Sequence, residues 1–192
     1  MRLSLSKVLM TAVATAIAGC SDATLPTTPS APSTLRADRS STERTKTIRM
    51  KDECDPQTFN AMFGAGTCVR DGGLNLDQFL SQVVALHGAP GWRFAPDEVT
   101  LRVGDVLAAM NAGGEVHTFT EVKNFGGGFF TPLNDLSGAG ETVNECKNLP
   151  ASAFVAPGAT VAETENEAGD EKYQCCIHPW MRATVHISPK GV

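Results

Sequence analysis

The sequence predicts an all-β domain, a sandwich or barrel, preceded by a short and partly helical stretch. Three observations predict it. From Phe94 onward apolar and polar residues alternate, as where Val99, Leu101 and Val103 flank Thr100 and Arg102, the period of a strand with one buried face. Turn signals such as Gly104-Asp105 break these runs at short intervals. The chain is 42% hydrophobic and 19% charged, which fits a globular protein and excludes collagen-like, wholly disordered and multi-span membrane readings.

Taken in order, the 192 residues divide into four segments. Arg2 and Lys7 open a basic start, an apolar run covers 8–18, and Ile17-Ala18-Gly19-Cys20 follows. That is the architecture of an export signal, too short to remain as a membrane span. Its last four residues read as a bacterial lipobox, so 1–19 is expected to be removed and Cys20 lipid-modified. Ser21 follows where many retained lipoproteins carry Asp, so the expected location is the cell envelope, anchored in the outer membrane and facing the periplasm. Residues 20–51, rich in Ser, Thr, Pro and Ala, have no apolar periodicity and are expected to be a disordered linker. A flexible coil of that length would span about 30 Å.

A third segment, 52–90, contains Cys54, Cys68 and a helical pattern over 75–87, with Leu76, Phe79, Leu80, Val83 and Val84 at helix spacing. Asn75 is the expected N-cap, Gly88 the stop, and His87 a helix-end residue. The fourth segment, 91–192, holds further expected strands at 106–110, 116–123, 159–165, 172–177 and 182–187. A folded region of 141 residues, 52–192, buries roughly two-thirds of its unfolded surface, enough for its own core.

Charge narrows the partners. Residues 1–51 carry a balance of +5, and 52–192 a balance of −10. An acidic domain without a basic stripe is a poor nucleic-acid binder, so no nucleic acid is expected. The cluster Glu163, Glu165, Glu167, Asp170 and Glu171 is expected to be a solvated loop, and Gly126 to Gly128 do not follow a strand-to-helix phosphate-loop pattern.

The stretch YQCCIHPWM, residues 173–181, carries the chemistry. Cys175, His178 and Met181 stand at Cys-x2-His-x2-Met spacing between two expected strands. A thiolate, an imidazole and a thioether form a soft ligand set, and one more imidazole completes the His2Cys site with weak axial Met that suits copper in electron transfer. His117, in the expected strand GEVHTFTEV, is the natural fourth member. His186 alternates with the apolar residues of the last strand and is expected to face solvent. Met181 has no role at a zinc site, and four histidines cannot supply the extra clusters of a multicopper enzyme. No enzymatic activity is expected.

These residues resemble the cupredoxin (blue copper) family, most nearly its plastocyanin/amicyanin type, over about residues 90–192. The resemblance implies an antiparallel Greek-key β-sandwich and one type 1 copper held by His117, Cys175, His178 and Met181. It implies electron transfer by Cu(I)/Cu(II) cycling, with a redox partner protein such as a c-type cytochrome or an oxidase. The ring edge of His178 would be the electron port, with Pro179 and Trp180 beside it. Many members have Asn after the strand histidine to tether the ligand loop, whereas Thr118 stands here, so a hydroxyl would have to serve. A copper-buffering lipoprotein and a metal-free interaction domain are the alternatives. Setting aside Cys20 and Cys175 leaves Cys54, Cys68, Cys146 and Cys176, which allow three pairings; Cys54–Cys68 and Cys146–Cys176 are favoured, in keeping with an exported protein.

Overall fold

The computed structural model of the chain describes residues 43–190. The expected signal 1–19, the Cys20 lipidation site and the linker as far as residue 42 lie outside the described residues. Two four-stranded sheets face each other across one core. The first has the order β2-β1-β4-β8, from Arg93–Ala95, Thr45–Lys51, Val106–Asn111 and Thr160–Thr164. The second has the order β3-β10-β9-β6, from Glu98–Arg102, Arg182–Ser188, Gly169–Gln174 and Thr120–Glu121. A short ladder joins β5 (His117–Thr118) to β7 (Phe154–Val155). The sandwich is as expected, with mixed pairing: β1 runs parallel to β4 and β3 parallel to β10.

Alternation builds the core. Ala183, Val185 and Ile187 of β10 point inward, as do Val99 and Leu101 of β3, and all pack in one cluster with Leu107 and Ala109 of β4. His186, on the other face of β10, is half-exposed and bonds Asp170 at 2.8 Å, as the alternation implies.

The linker boundary moves. Residues 45–51, expected to be disordered, form β1, which sits between β2 and β4 with its register running from Thr45↔Val106 to Met50↔Asn111. Ile48 and Met50 are fully buried. Two inward side chains among threonines, lysines and arginines suffice, because the outer face of this strand meets solvent.

Two expected strands end early. The 116–123 run breaks at Phe119, and the chain changes partner there, from β7 to β9. The 172–177 run stops at Gln174, because the Cys175 N–H turns to Met181 O (3.0 Å) and closes a loop.

The extension carries one helix more than expected. Asp55 caps α1 (Pro56–Phe63) by accepting from the N–H groups of Gln57 and Thr58. Asn75 caps α2 (Leu76–Leu86) in a full capping box with Gln78, and the Cys54–Cys68 disulfide closes the segment. His87, rather than Gly88, ends the helix by taking the left-handed conformation itself (φ 57°). Phe59, Phe79 and Val83 belong to the same core as the sheets, so the extension caps the sandwich. A third helix, α3 (Thr131–Ser137), was not expected.

The acidic segment is a crossover that carries the chain from β8 in the first sheet to β9 in the second, not a solvated loop throughout. The Tyr173 hydroxyl lies 2.8 Å from Glu163 and 2.7 Å from Glu171, and Glu165 is buried. Burial, then the charges of Glu171 and Glu163, push the Glu165 carboxyl up to about 7. A carboxyl raised by folding binds its proton more tightly folded than unfolded, so its contribution is complete below its ordinary range and lost as pH rises through 7. Urea unfolding at pH 5 and pH 8 should therefore show a stability loss that Glu165→Gln reduces. A chain begun at residue 52 should show no cooperative thermal transition by circular dichroism, whereas one begun at 43 should. Met50→Ala in the full chain should cost about 2–5 kcal/mol in the same urea experiment.

Candidate metal centre

Backbone pairing places the first candidate ligand. His117 lies opposite Val155 in the β5–β7 ladder and is fully buried. The other candidates come from the loop 175–181, closed by Cys175 N–H to Met181 O (3.0 Å) and Met181 N–H to His178 O (2.9 Å). The Cys175 Sγ lies 3.9 Å from His117 Nδ1 and 3.8 Å from His178 Nδ1. The three ligand atoms are mutually within 4.8 Å. Met181 is fully buried in the same core cluster as Cys175.

The loop is held from three sides. The Thr118 N–H points at Cys175 Sγ (3.5 Å), and the Thr118 hydroxyl accepts from the Cys176 N–H at 2.7 Å. A hydroxyl thus makes the tether the Asn-to-Thr departure left open. Cys176 turns away from Cys175 and joins Cys146 in a disulfide, leaving Cys175 the one free cysteine among the described residues. The glycine run lies on the loop's third side: Phe129 N–H donates to Cys176 O (2.9 Å), and a Cβ on Gly128 would collide with that carbonyl.

Behind each imidazole stands a carboxylate that the sequence did not reveal. Asp52, just past the end of β1, lies 2.9 Å from His117 Nε2 and accepts from the N–H groups of Gly114 (2.9 Å) and Glu115 (3.0 Å). A Cβ on Gly113 would fill the space this carboxylate occupies. With Nε2–H donating to Asp52, the lone pair of Nδ1 faces Cys175. Glu115 stands near His178 without a hydrogen bond to it: His178 Nε2 lies 3.6 Å from Oε2, and that oxygen accepts from Trp92 Nε1. Asp52, Cys54 and Glu115 also lie close together, but the Cys54 sulfur is committed to its disulfide and they form no metal site.

The electrostatics favour a thiolate among imidazoles. Burial alone would raise the Cys175 thiol, but hydrogen bonds and charge from His117 and His178 outweigh it and hold it well below the usual thiol range. Burial would lower His117, yet Asp52 and Cys175 together push it up to about 9. For Asp52 burial is likewise outweighed, by His117 and the two backbone N–H groups, and its carboxyl is lowered. Burial raises Glu115.

The donor set fits a soft transition metal. A sulfur with an imidazole nitrogen at 3.8 Å and another at 3.9 Å would allow all three atoms to bind one ion of the kind that thiolate and imidazole donors select. The expected port differs. His178 is 4% exposed, Pro179 is buried, and rings of Phe79 (6.3 Å), Trp92 (6.4 Å) and Trp180 (5.7 Å) pack around the imidazole. Phe79 and Trp92 come from the extension and its exit, so no pattern within the ligand loop could signal this cover.

No protein-family model matches the chain, and no curated protein matches it. Among solved structures it is similar to a variant of amicyanin in its Cu(I) form, at 20% identity and a TM-score of 0.35 over 50% of this chain and 73% of that one. It is also similar to a purple cupredoxin from Nitrosopumilus maritimus, at 15% identity and a TM-score of 0.42 over 74% of this chain and 98% of that one. Overlaps this loose leave the cupredoxin-like fold to rest on the strand pairing and on the position of the loop between β9 and β10.

The Asp52 contact makes a specific expectation. Asp52→Asn should lower the His117 titration midpoint of the metal-free chain, read by NMR, and weaken Co(II) or Cu(II) affinity about 10–100-fold. An unchanged midpoint would show that Asp52 does not orient the ring.

Proposed function

We propose that the chain is a one-copper electron carrier, with His117, Cys175 and His178 holding the ion and Met181 as its weak axial partner. The observation that carries this reading is the fully buried, unpaired Cys175 sulfur between two imidazole nitrogens at 3.8 and 3.9 Å. Copper bound there would supply one-electron exchange between Cu(I) and Cu(II). The rest of the task falls to the protein. Cys175 offers a sulfur already biased toward thiolate, so binding displaces little free energy into deprotonation. Asp52 fixes the His117 ring from behind and aromatic packing confines the His178 ring, which limits ligand movement when the charge of the site changes. The aromatic cover over His178 excludes water from the site.

The two imidazoles and one thiolate, with Met181 on the same short loop, support the carrier reading, since this is the ligand set that suits copper in electron transfer. Buffering is the second reading, and the single His–Cys–His group among the described residues favours it less. Within this proposal the carrier is exported, lipid-anchored through Cys20 in a bacterial envelope, and exchanges electrons with a protein partner.

The test is the visible and EPR spectrum of the Cu(II)-loaded chain. An intense thiolate-to-copper band with narrow hyperfine splitting is expected. Cys175→Ser should abolish it, whereas Cys176→Ser should keep it. Met181→Leu should keep the band and move the reduction potential. Ordinary tetragonal copper, or a band that survives Cys175→Ser, would refute the assignment.

A further inference from the structure

A cavity of about 360 Å³ opens beside the ligand loop, between residues of α1, α2 and α3, and electron carriage gives it no task. Exposure grades from mouth to floor. Phe63, Phe130 and Leu136 at the rim are 50%, 36% and 37% exposed, whereas Phe59 is 1%, His178 4% and Glu115 7% exposed. Its size lies within the range of small-molecule sites, and about 150 Å³ already accepts a benzene ring in an apolar interior.

Two features select the occupant. Phenylalanines 59, 63, 79, 129 and 130 line the walls, and aromatic faces and edges of this kind favour a ring stacked or tilted among them. The second feature is one polar group at depth. Glu115 Oε2 is occupied by Trp92 Nε1, while Oε1 takes no hydrogen bond among the described residues. That oxygen is not among the side-chain atoms sealed from solvent without a partner, so a guest that fills the cavity takes its place beside water; losing that water without a replacement donor is costly, and a guest carrying a single O–H supplies one. A cationic guest fits less well, since an ammonium would have to give up its water among five phenylalanines.

We propose that this cavity binds a one-ring molecule of the phenol class, its ring among the phenylalanines and its hydroxyl donating to Glu115 Oε1. Binding needs no metal, so the test uses the full metal-free chain and stands apart from the copper reading, which the Cu(II) spectrum decides separately. The probes are 4-fluorophenol, fluorobenzene and 4-fluorobenzylamine, each titrated by ¹⁹F NMR. Saturable binding of 4-fluorophenol is expected, about tenfold tighter than fluorobenzene, the factor one hydrogen bond supplies. Leu136→Trp, a change at the half-exposed rim that leaves the core intact, should fill the mouth and weaken it at least as much. Glu115→Leu, checked for folding by circular dichroism, should erase the preference for the phenol; if that variant does not fold, the wild-type comparison and Leu136→Trp decide. Absence of saturation, equal binding of fluorobenzene, tighter binding of the amine, or indifference to Leu136→Trp would each overturn the proposal.

Discussion

The contact between Asp52 and His117 joins everything else in this molecule. It lies where a central strand, a glycine turn and a ligand meet. β1 delivers Asp52 because its register with β4 ends at Met50↔Asn111, one turn from the Gly113-Gly114 backbone. The N–H groups of Gly114 and Glu115 hold the carboxylate, and only a residue without a Cβ at position 113 leaves it room. The imidazole then has one orientation, with Nδ1 toward Cys175. A buried carboxylate without these partners would be strongly unfavourable, so sheet register and ligand orientation are one constraint.

Around that point the loop 175–181 is made stiff by covalent and hydrogen-bonded ties rather than by its own secondary structure. Cys176 is bonded through sulfur to Cys146, through its N–H to Thr118, and through its carbonyl to Phe129. These three ties fall on the residue beside the ligand, which explains why two adjacent cysteines are useful. Strand alternation sends one sulfur to the site and its neighbour to the anchor. Gln174 adds a further clasp, its side-chain oxygen accepting from the Gly126 N–H at 3.0 Å. The glycine run and the 3-10 turn at Asn144–Cys146 thus serve the loop across a long insertion.

What the sequence disclosed was local. Cys175, His178 and Met181 were legible because three soft donors within seven residues have few bland explanations. The α2 cap was legible because Asn75 and Gln78 are three apart, and β10 because Ala183, Val185 and Ile187 alternate. Asp52 was not legible. It stands 65 residues from His117, and one aspartate in a stretch of average composition carries no signal. β1 was hidden by its neighbours, since a Ser/Thr/Pro-rich average conceals two apolar residues at alternate positions. The cover over His178 was hidden for the same reason as Asp52: Phe79 and Trp92 reach the ring only through tertiary packing.

On the proposed electron-carrier reading, that cover sets a condition on exchange. His117, Cys175 and Met181 are fully buried and His178 is 4% exposed, so no ligand presents a bare edge to a partner. Exchange under that reading would cross a layer of side chains, of which the half-buried Trp180, 5.7 Å from the His178 ring, is one. Its indole Nε1 is buried with no partner among the described residues, an orientation that costs free energy and is imposed by packing between His178 and the end of α2. The same packing keeps water from a site whose sulfur is already poised as thiolate, which protects it from oxidation and from ligand exchange. Under the proposed function, burial of His178 would trade contact with a partner for protection of the sulfur, and Phe79 of the extension at 52–90 is part of the cover that sets that balance.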